Sequence, residues 1–240
     1  NLPRCPQGRP VLVQAGSSEA GRSFAARHAE AVFTAQLEKQ TAQEFYADLK
    51  GRARAVGRDP QHVIILPGLS PVIASTEDEA KRIANELGDL ADPEVGRARM
   101  SARLGGYDFA HLPLDKPLRP EDFPDPETVQ AARSRTDVIV NLVRREKPTL
   151  RELLAMLAGA RGHHTFAGTP QQVVDLMVDW VEDGAADGFN IMPPVLPEML
   201  DVFISEVVPL LQKRGVFRTE YTGNMLRDHY GLPVPASQYD

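Results

Sequence analysis

The stretch PVLVQAGSSEAGRSFAARHAEAVFTA, residues 10–35, decides the fold. An apolar run over residues 11–15 meets the small-residue turn Ala15-Gly16-Ser17-Ser18, and a helical pattern follows at once. A second apolar run then covers residues 31–35. Both runs are short and apolar on both faces, which suits parallel strands covered by helices. Further runs of this kind lie at residues 62–66, with an extension toward Ala74, and at residues 188–192. Four parallel strands can form an open sheet. A closed barrel with a filled interior takes about eight.

Helix starts are legible. Thr41-x-x-Glu44, Thr76-x-x-Glu79, Thr149-x-x-Glu152 and Thr169-x-x-Gln172 fit the capping box, in which each side chain satisfies an orphan backbone donor of the first turn. Pro170 suits the first helical position. The helix from Pro170 to about Gly184 then presents Val173, Met177, Trp180 and Val181 as a core-facing stripe. Residues 91–165 break the strand–helix rhythm with Gly105-Gly106-Tyr107, a Pro-rich stretch at 112–126 and helical patterns near 127–146 and 150–159. A long insertion of this kind in an α/β protein lies at one face, where it can cover a site.

Composition narrows the class. The chain has 240 residues, 42% hydrophobic and 25% charged, so disordered and fibrous classes drop out. The net charge is −6 with basic residues dispersed among acids, which argues against a nucleic-acid surface. No run of about 18 apolar residues predicts a membrane span. Cys5 is the only cysteine, so an internal disulfide and a cysteine metal cluster are excluded. A reducing cytoplasm fits these features.

Two readings of the opening turn compete. Backbone N–H groups at a helix start carry partial positive charge, Gly16 permits close approach, and Ser17 and Ser18 offer hydroxyls, which together make a phosphate site. Alternatively, Ser18 is a plain helix N-cap and Gly16 a simple turn, with the Glu19 carboxylate occupying the helix dipole. The turn is neither a Walker loop nor a G-x-G-x-x-G fingerprint. His163-His164 has no carboxylate at ligand spacing and reads as a surface loop or a pocket lining rather than a metal site. His28 reads as packing or solvation. Asp179, Glu182, Asp183 and Asp187 read as a solvated helix face. No nucleophile with a base is identifiable, so catalytic residues remain unassigned.

Five stretches together resemble one family: residues 10–36, GRDPQHVIILPGLSPVIASTEDEA (57–80), SARLGGYD (101–108), GARGHHTFAGTPQQVVDLMVDWVEDGAADGFNIMPP (159–194) and RGVFRTEYTGNMLRDHYGLP (214–233). They are similar, in the same order, to the C-terminal part of the flavin-dependent monooxygenases typified by nitrilotriacetate monooxygenase component A and dibenzothiophene sulfone monooxygenase. These form a branch of the bacterial luciferase-like superfamily. The resemblance implies an α/β fold, the C-terminal half of a (β/α)8 barrel in a single partial domain. Residues 91–165 would cover the barrel mouth and residues 197–240 form a C-terminal helix and tail. It implies monooxygenase chemistry on a small organic substrate with O2 and reduced FMN supplied by a separate flavin reductase. Gly16, Ser17 and Ser18 would hold the FMN phosphate, and His163 and Met192 would line the substrate pocket.

The resemblance also implies that the strands of the family's N-terminal half, with much of the flavin and substrate site, are not in this sequence. Exposed sheet edges then predict self-association, or pairing with a complementary N-terminal half. The alternatives are a non-catalytic phosphate-binding or self-assembling half-barrel, and a deazaflavin-dependent oxidoreductase of the same superfamily.

Overall fold

The computed structural model describes residues 3–90, 92–125, 133–160 and 162–237. Strand β1 (Val13–Ala15) leads through the Gly16 turn into helix α1 (Glu19–His28), then β2 (Ala31–Thr34), α2 (Lys39–Ala55) and β3 (Ile64–Ile73). After α3 (Glu77–Asp89) come α4 (Pro93–Arg103), α5 (Arg133–Glu146) and α6 (Leu150–Ala160). The alternation then resumes with β4 (His164–Gly168), α7 (Pro170–Glu182) and β5 (Asn190–Ile191). Among the described residues, no helix is long and apolar enough to cross a membrane.

All pairings between these strands are parallel: β1 on β2, β2 on the first half of β3, and both β4 and β5 on the second half of β3. Leu69 pairs with both His164 and Ile191, so β4 and β5 lie on opposite edges of β3. The segment leading into β5 is already on its edge earlier, where the Asp187 N–H donates to the Ile65 carbonyl. Thus β2 and β4 share the other edge in tandem. The sequence-based reading foresaw four strands and missed β4. Its five residues begin with a histidine and follow a helix closely, so no apolar run announces them.

The strands alternate sides. Val32 and Ile65 pack beneath α1 and α2 with Ala25, Phe45 and Leu49. Ala31, Phe33, Ile64, Leu66 and Gly68 therefore belong to the opposite face. The long strand β3 also packs Ile73 against α7 and against a continuous C-terminal helix built from α8 (Glu198–Val202), a π-helical turn (Phe203–Val207) and α9 (Val208–Lys213). The π turn lies just before Pro209, which has no N–H to continue an α ladder.

Two of the four capping boxes form in full, at Thr149 and Thr169, and Thr76 caps α3 one way only, its Oγ accepting from the Glu79 N–H while the Glu79 carboxylate pairs with Arg82. Thr41 does not cap: α2 starts two residues earlier, after Glu38, and the Thr41 hydroxyl donates to the Glu38 carbonyl. On α7 the buried stripe is Val173, Val174 and Trp180, while Val181, in the last turn, is exposed although its angle on the helix falls between those of Met177 and Val174. The 91–165 segment has an apolar core of its own, in which Met100, Leu104, Phe109, Phe123, Val143 and Leu153 pack together with Leu37 of the β2–α2 connection. The first part of the helix expected at 127–146 lies outside the described residues.

The N-terminal ends of the strands are held by buried charge. Lys50, on α2, donates to the carbonyls of Pro60 (2.9 Å) and Val63 (2.7 Å) and to Asp187 (2.8 Å). Asp187 also accepts from the Ile65 N–H and the Tyr46 hydroxyl. It is therefore a staple between α2, β3 and β5, not part of a solvated helix face. Asp179 and Asp183, in turn, both pair with Lys39. Arg58 donates to the carbonyls of Ala26 (2.8 Å) and Ala29 (2.7 Å), closing the C-terminus of α1.

Candidate functional site at the C-terminal ends of the strands

Toward the other end of β1 and β2 lie the opening turn and Phe33, against which His163 packs from just before β4, and Met192 follows the end of β5. Gly16 sits at φ 130°, a backbone position that strains any residue with a side chain. Its missing side chain leaves open space apart from the Gln14 amide, 3.6 Å from where a Cβ would lie. Ser18 is the N-cap of α1, and its Oγ accepts from the Gly21 N–H at 3.1 Å. Glu19 does not sit over the helix end alone: Arg52 grips its two oxygens at 2.6 and 2.9 Å, and Arg22 adds a third contact. The Arg52 hydrogen bond, more than any other contact, holds the Glu19 carboxyl below its ordinary range. With Asp48 bound to the same two arginines, two acids and two bases balance. The negative charge beside the turn is thereby neutralised.

His163, just before β4, and His164, its first residue, point to opposite sides of the sheet. Both are drawn into the fold, contrary to the surface-loop reading. The side chain of His164 faces the helices, where its ring lies 4.9 Å from that of Trp180 and its Nδ1 donates to the Leu37 carbonyl at 2.7 Å. That bond fixes the tautomer, so Nε2 is left as a buried acceptor with no donor among the described residues. Burial lowers the pKa of His164, with the Leu37 bond opposing the shift.

His163 faces the other way, buried, stacked on Phe33 with ring centroids 4.9 Å apart and planes at 16°. A Cβ on Gly68 would lie 2.8 Å from His163 Cγ and 2.8 Å from Met192 Sδ. His163 and Met192 therefore meet over Gly68. The opening turn belongs to the same end, because Ala15 pairs with Phe33 in register. Phe33, Gly68 and Gln14 escaped the sequence-based reading. A glycine inside a strand, as in Leu66-Pro67-Gly68-Leu69, signals close approach of another group and could have found Gly68.

The described residues form a parallel α/β sheet of the kind found in (β/α)8 barrels, a class of fold whose ligands sit at the C-terminal ends of the strands. Residues 1–187 match the family described as luciferase-like monooxygenase, and the chain belongs to it. It is 48% identical to N-acetyl-S-(2-succino)cysteine monooxygenase of Bacillus subtilis over 239 residues, covering 100% of this chain and 54% of that protein. Nitrilotriacetate monooxygenase component A of Aminobacter aminovorans is likewise 48% identical, with 98% of this chain and 51% of that protein covered. Among solved structures, that of riboflavin lyase with modified FMN and riboflavin superposes with a TM-score of 0.79 at 30% identity, over 98% of this chain and 50% of that one. The chain thus spans about half the length of these relatives.

Proposed function

We propose that this chain supplies the FMN-phosphate cradle and one wall of the substrate pocket in a two-component monooxygenase that uses reduced FMN, O2 and a separate flavin reductase. The observation that carries the reading is the exposed Gly16-Ser17-Ser18 turn, opening at the end of β1 onto the first turn of a ten-residue helix. Its fit to a phosphate group rests on the positive φ and open side of Gly16, the backbone N–H groups of the first turn ahead of Gly21, and the neutralised Glu19. Reduced flavin, when bound, supplies the electrons that activate O2. The chain's own residues anchor and orient: Gly16, Ser17 and Ser18 hold the phosphate, Phe33 and His163 form a stacked wall, and Met192 adds a thioether beside it.

Residues 91–165 cover the barrel mouth in this reading. It is supported by the packing of Leu37 into their core and by the Glu38–Arg145 ion pair, both at the C-terminal end of β2. In this reading the C-terminal helix and tail of the same partial barrel domain run from residue 197 to the last described residue, 237. The relatives' names, a succinylated cysteine and nitrilotriacetate, point to a small organic substrate bearing carboxylates. Exposed Leu12, just before β1, Val13 on β1 and Phe24 on α1 make self-association of the isolated chain, or pairing with an N-terminal half-barrel, the expected behaviour. Titrating the purified chain with FMN and following flavin fluorescence tests the cradle. Saturable quenching is expected, and no change at high micromolar FMN would remove the flavin function from this chain.

A further inference from the structure

Gly68 lies inside the longest strand, where glycine weakens a sheet and any β-branched residue would serve better. It pairs with Asn190 on β5, beside the start of β4. The space its Cβ would fill is taken by the near part of the His163 ring: Cγ lies 2.8 Å from that point and Nδ1 closer still. Met192 Sδ closes the same space at 2.8 Å. A ring atom next to Cβ cannot swing away by a small χ2 change, so a side chain at 68 must displace the whole imidazole. That imidazole is held on its other side by Phe33, with planes 16° apart.

We propose that Gly68 is a positioning residue: by having no side chain, it seats the His163 imidazole between Phe33 and β3 and brings Met192 against it. This sets the shape of the pocket wall, and it rests on the reading of this end of the sheet as the ligand site. Gly168 provides the contrast. A Cβ there would lie 2.7 Å from Phe166 Cε1 and 2.8 Å from Gln172 Oε1, equally tight but on the helix-facing side, away from His163.

The test compares Gly68→Ala, His163→Ala, their double variant and Gly168→Ala. The readouts are the thermal unfolding midpoint, the His163 ring and Met192 methyl NMR signals, and FMN titration. Gly68→Ala is expected to lower the midpoint and move the His163 and Met192 signals, and His163→Ala in the same chain should recover most of the loss. Gly168→Ala should lower the midpoint and leave those signals in place. Unmoved His163 signals in Gly68→Ala, or a double variant as destabilised as the sum of the singles, would overturn the proposal. If Gly68→Ala does not fold, folding of the double variant supports it and failure of both contradicts it. Should the unaltered chain not bind FMN while this coupling is present, the flavin reading falls and the seating of His163 by Gly68 stands.

Discussion

Arg227 and Glu30, 197 residues apart, form a two-pronged ion pair inside the protein, with Nη1–Oε1 at 2.8 Å and Nη2–Oε2 at 2.9 Å. Arg227 is fully buried, and its other donors reach the carbonyls of Arg9, Pro10 and Pro233. Glu30 also accepts from the Leu12 N–H and from Arg9. The pair ties the C-terminal tail and the segment before β1 to the start of β2. Replacing Glu30 by Gln leaves a buried guanidinium without its counter-charge, which costs about 3 kcal/mol. Urea unfolding of Glu30→Gln against the unaltered chain measures this, and a change under about 0.5 kcal/mol, the range of ordinary surface substitutions, would refute it.

The same pair sets an acid limit. Burial pushes the Glu30 carboxyl up, but the Arg227 fork, the Leu12 N–H and Arg9 outweigh it and hold the pKa at about 2, against an ordinary 4.5. A carboxyl depressed in the folded state contributes stability above its unfolded pKa and loses it as pH falls toward the folded one. Unfolding midpoints should therefore drop between about pH 4.5 and pH 2, and more shallowly in Glu30→Gln.

His164 acts at higher pH. Its folded pKa lies below 6.5 because burial disfavours the imidazolium, so its contribution is complete above the unfolded value and is lost as pH falls below it. His164→Phe removes this proton uptake along with the bond to Leu37. The difference in urea midpoint between about pH 7.5 and pH 5.5 should shrink in the variant.

The edge of the sheet gives a fourth expectation. Val13 is 66% exposed on a strand with one neighbour among the described residues. Val13→Lys places a charge where edge strands resist association. Light scattering on the eluted peak should show self-association of the unaltered chain and less in the variant. A stable monomer of the unaltered chain would contradict the expectation.

Much of this architecture was legible because parallel strands and capped helices leave local marks. The runs over 11–15 and 31–35 formed strands at Val13–Ala15 and Ala31–Thr34, and the caps at Thr76, Thr149 and Thr169 formed where their residue types predicted them. What stayed hidden depends on distant partners. Thr41 lost its cap because α2 starts at Lys39. Asp187 looked like one more surface acid until Lys50, Tyr46 and Ile65 converged on it from 137, 141 and 122 residues away. His163 could not be told from a loop residue, since its partners Phe33 and Gly68 come from other strands.

The cradle admits a residue-level check. Ser18 caps α1, so Ser18→Ala costs about 1 kcal/mol of stability. Removing both hydroxyls, in Ser17→Ala/Ser18→Ala, should weaken FMN binding by about tenfold, the weight of a hydrogen bond to a charged group. The affinity for riboflavin, which lacks the phosphate, should stay unchanged.

The central claim is that the Gly16-Ser17-Ser18 turn grips a flavin through its phosphate. Parallel titrations of the unaltered chain with FMN and with riboflavin test it most directly. The account predicts FMN binding tighter by about tenfold or more, the value of at least one charge-assisted hydrogen bond. Equal affinities for the two flavins would contradict it.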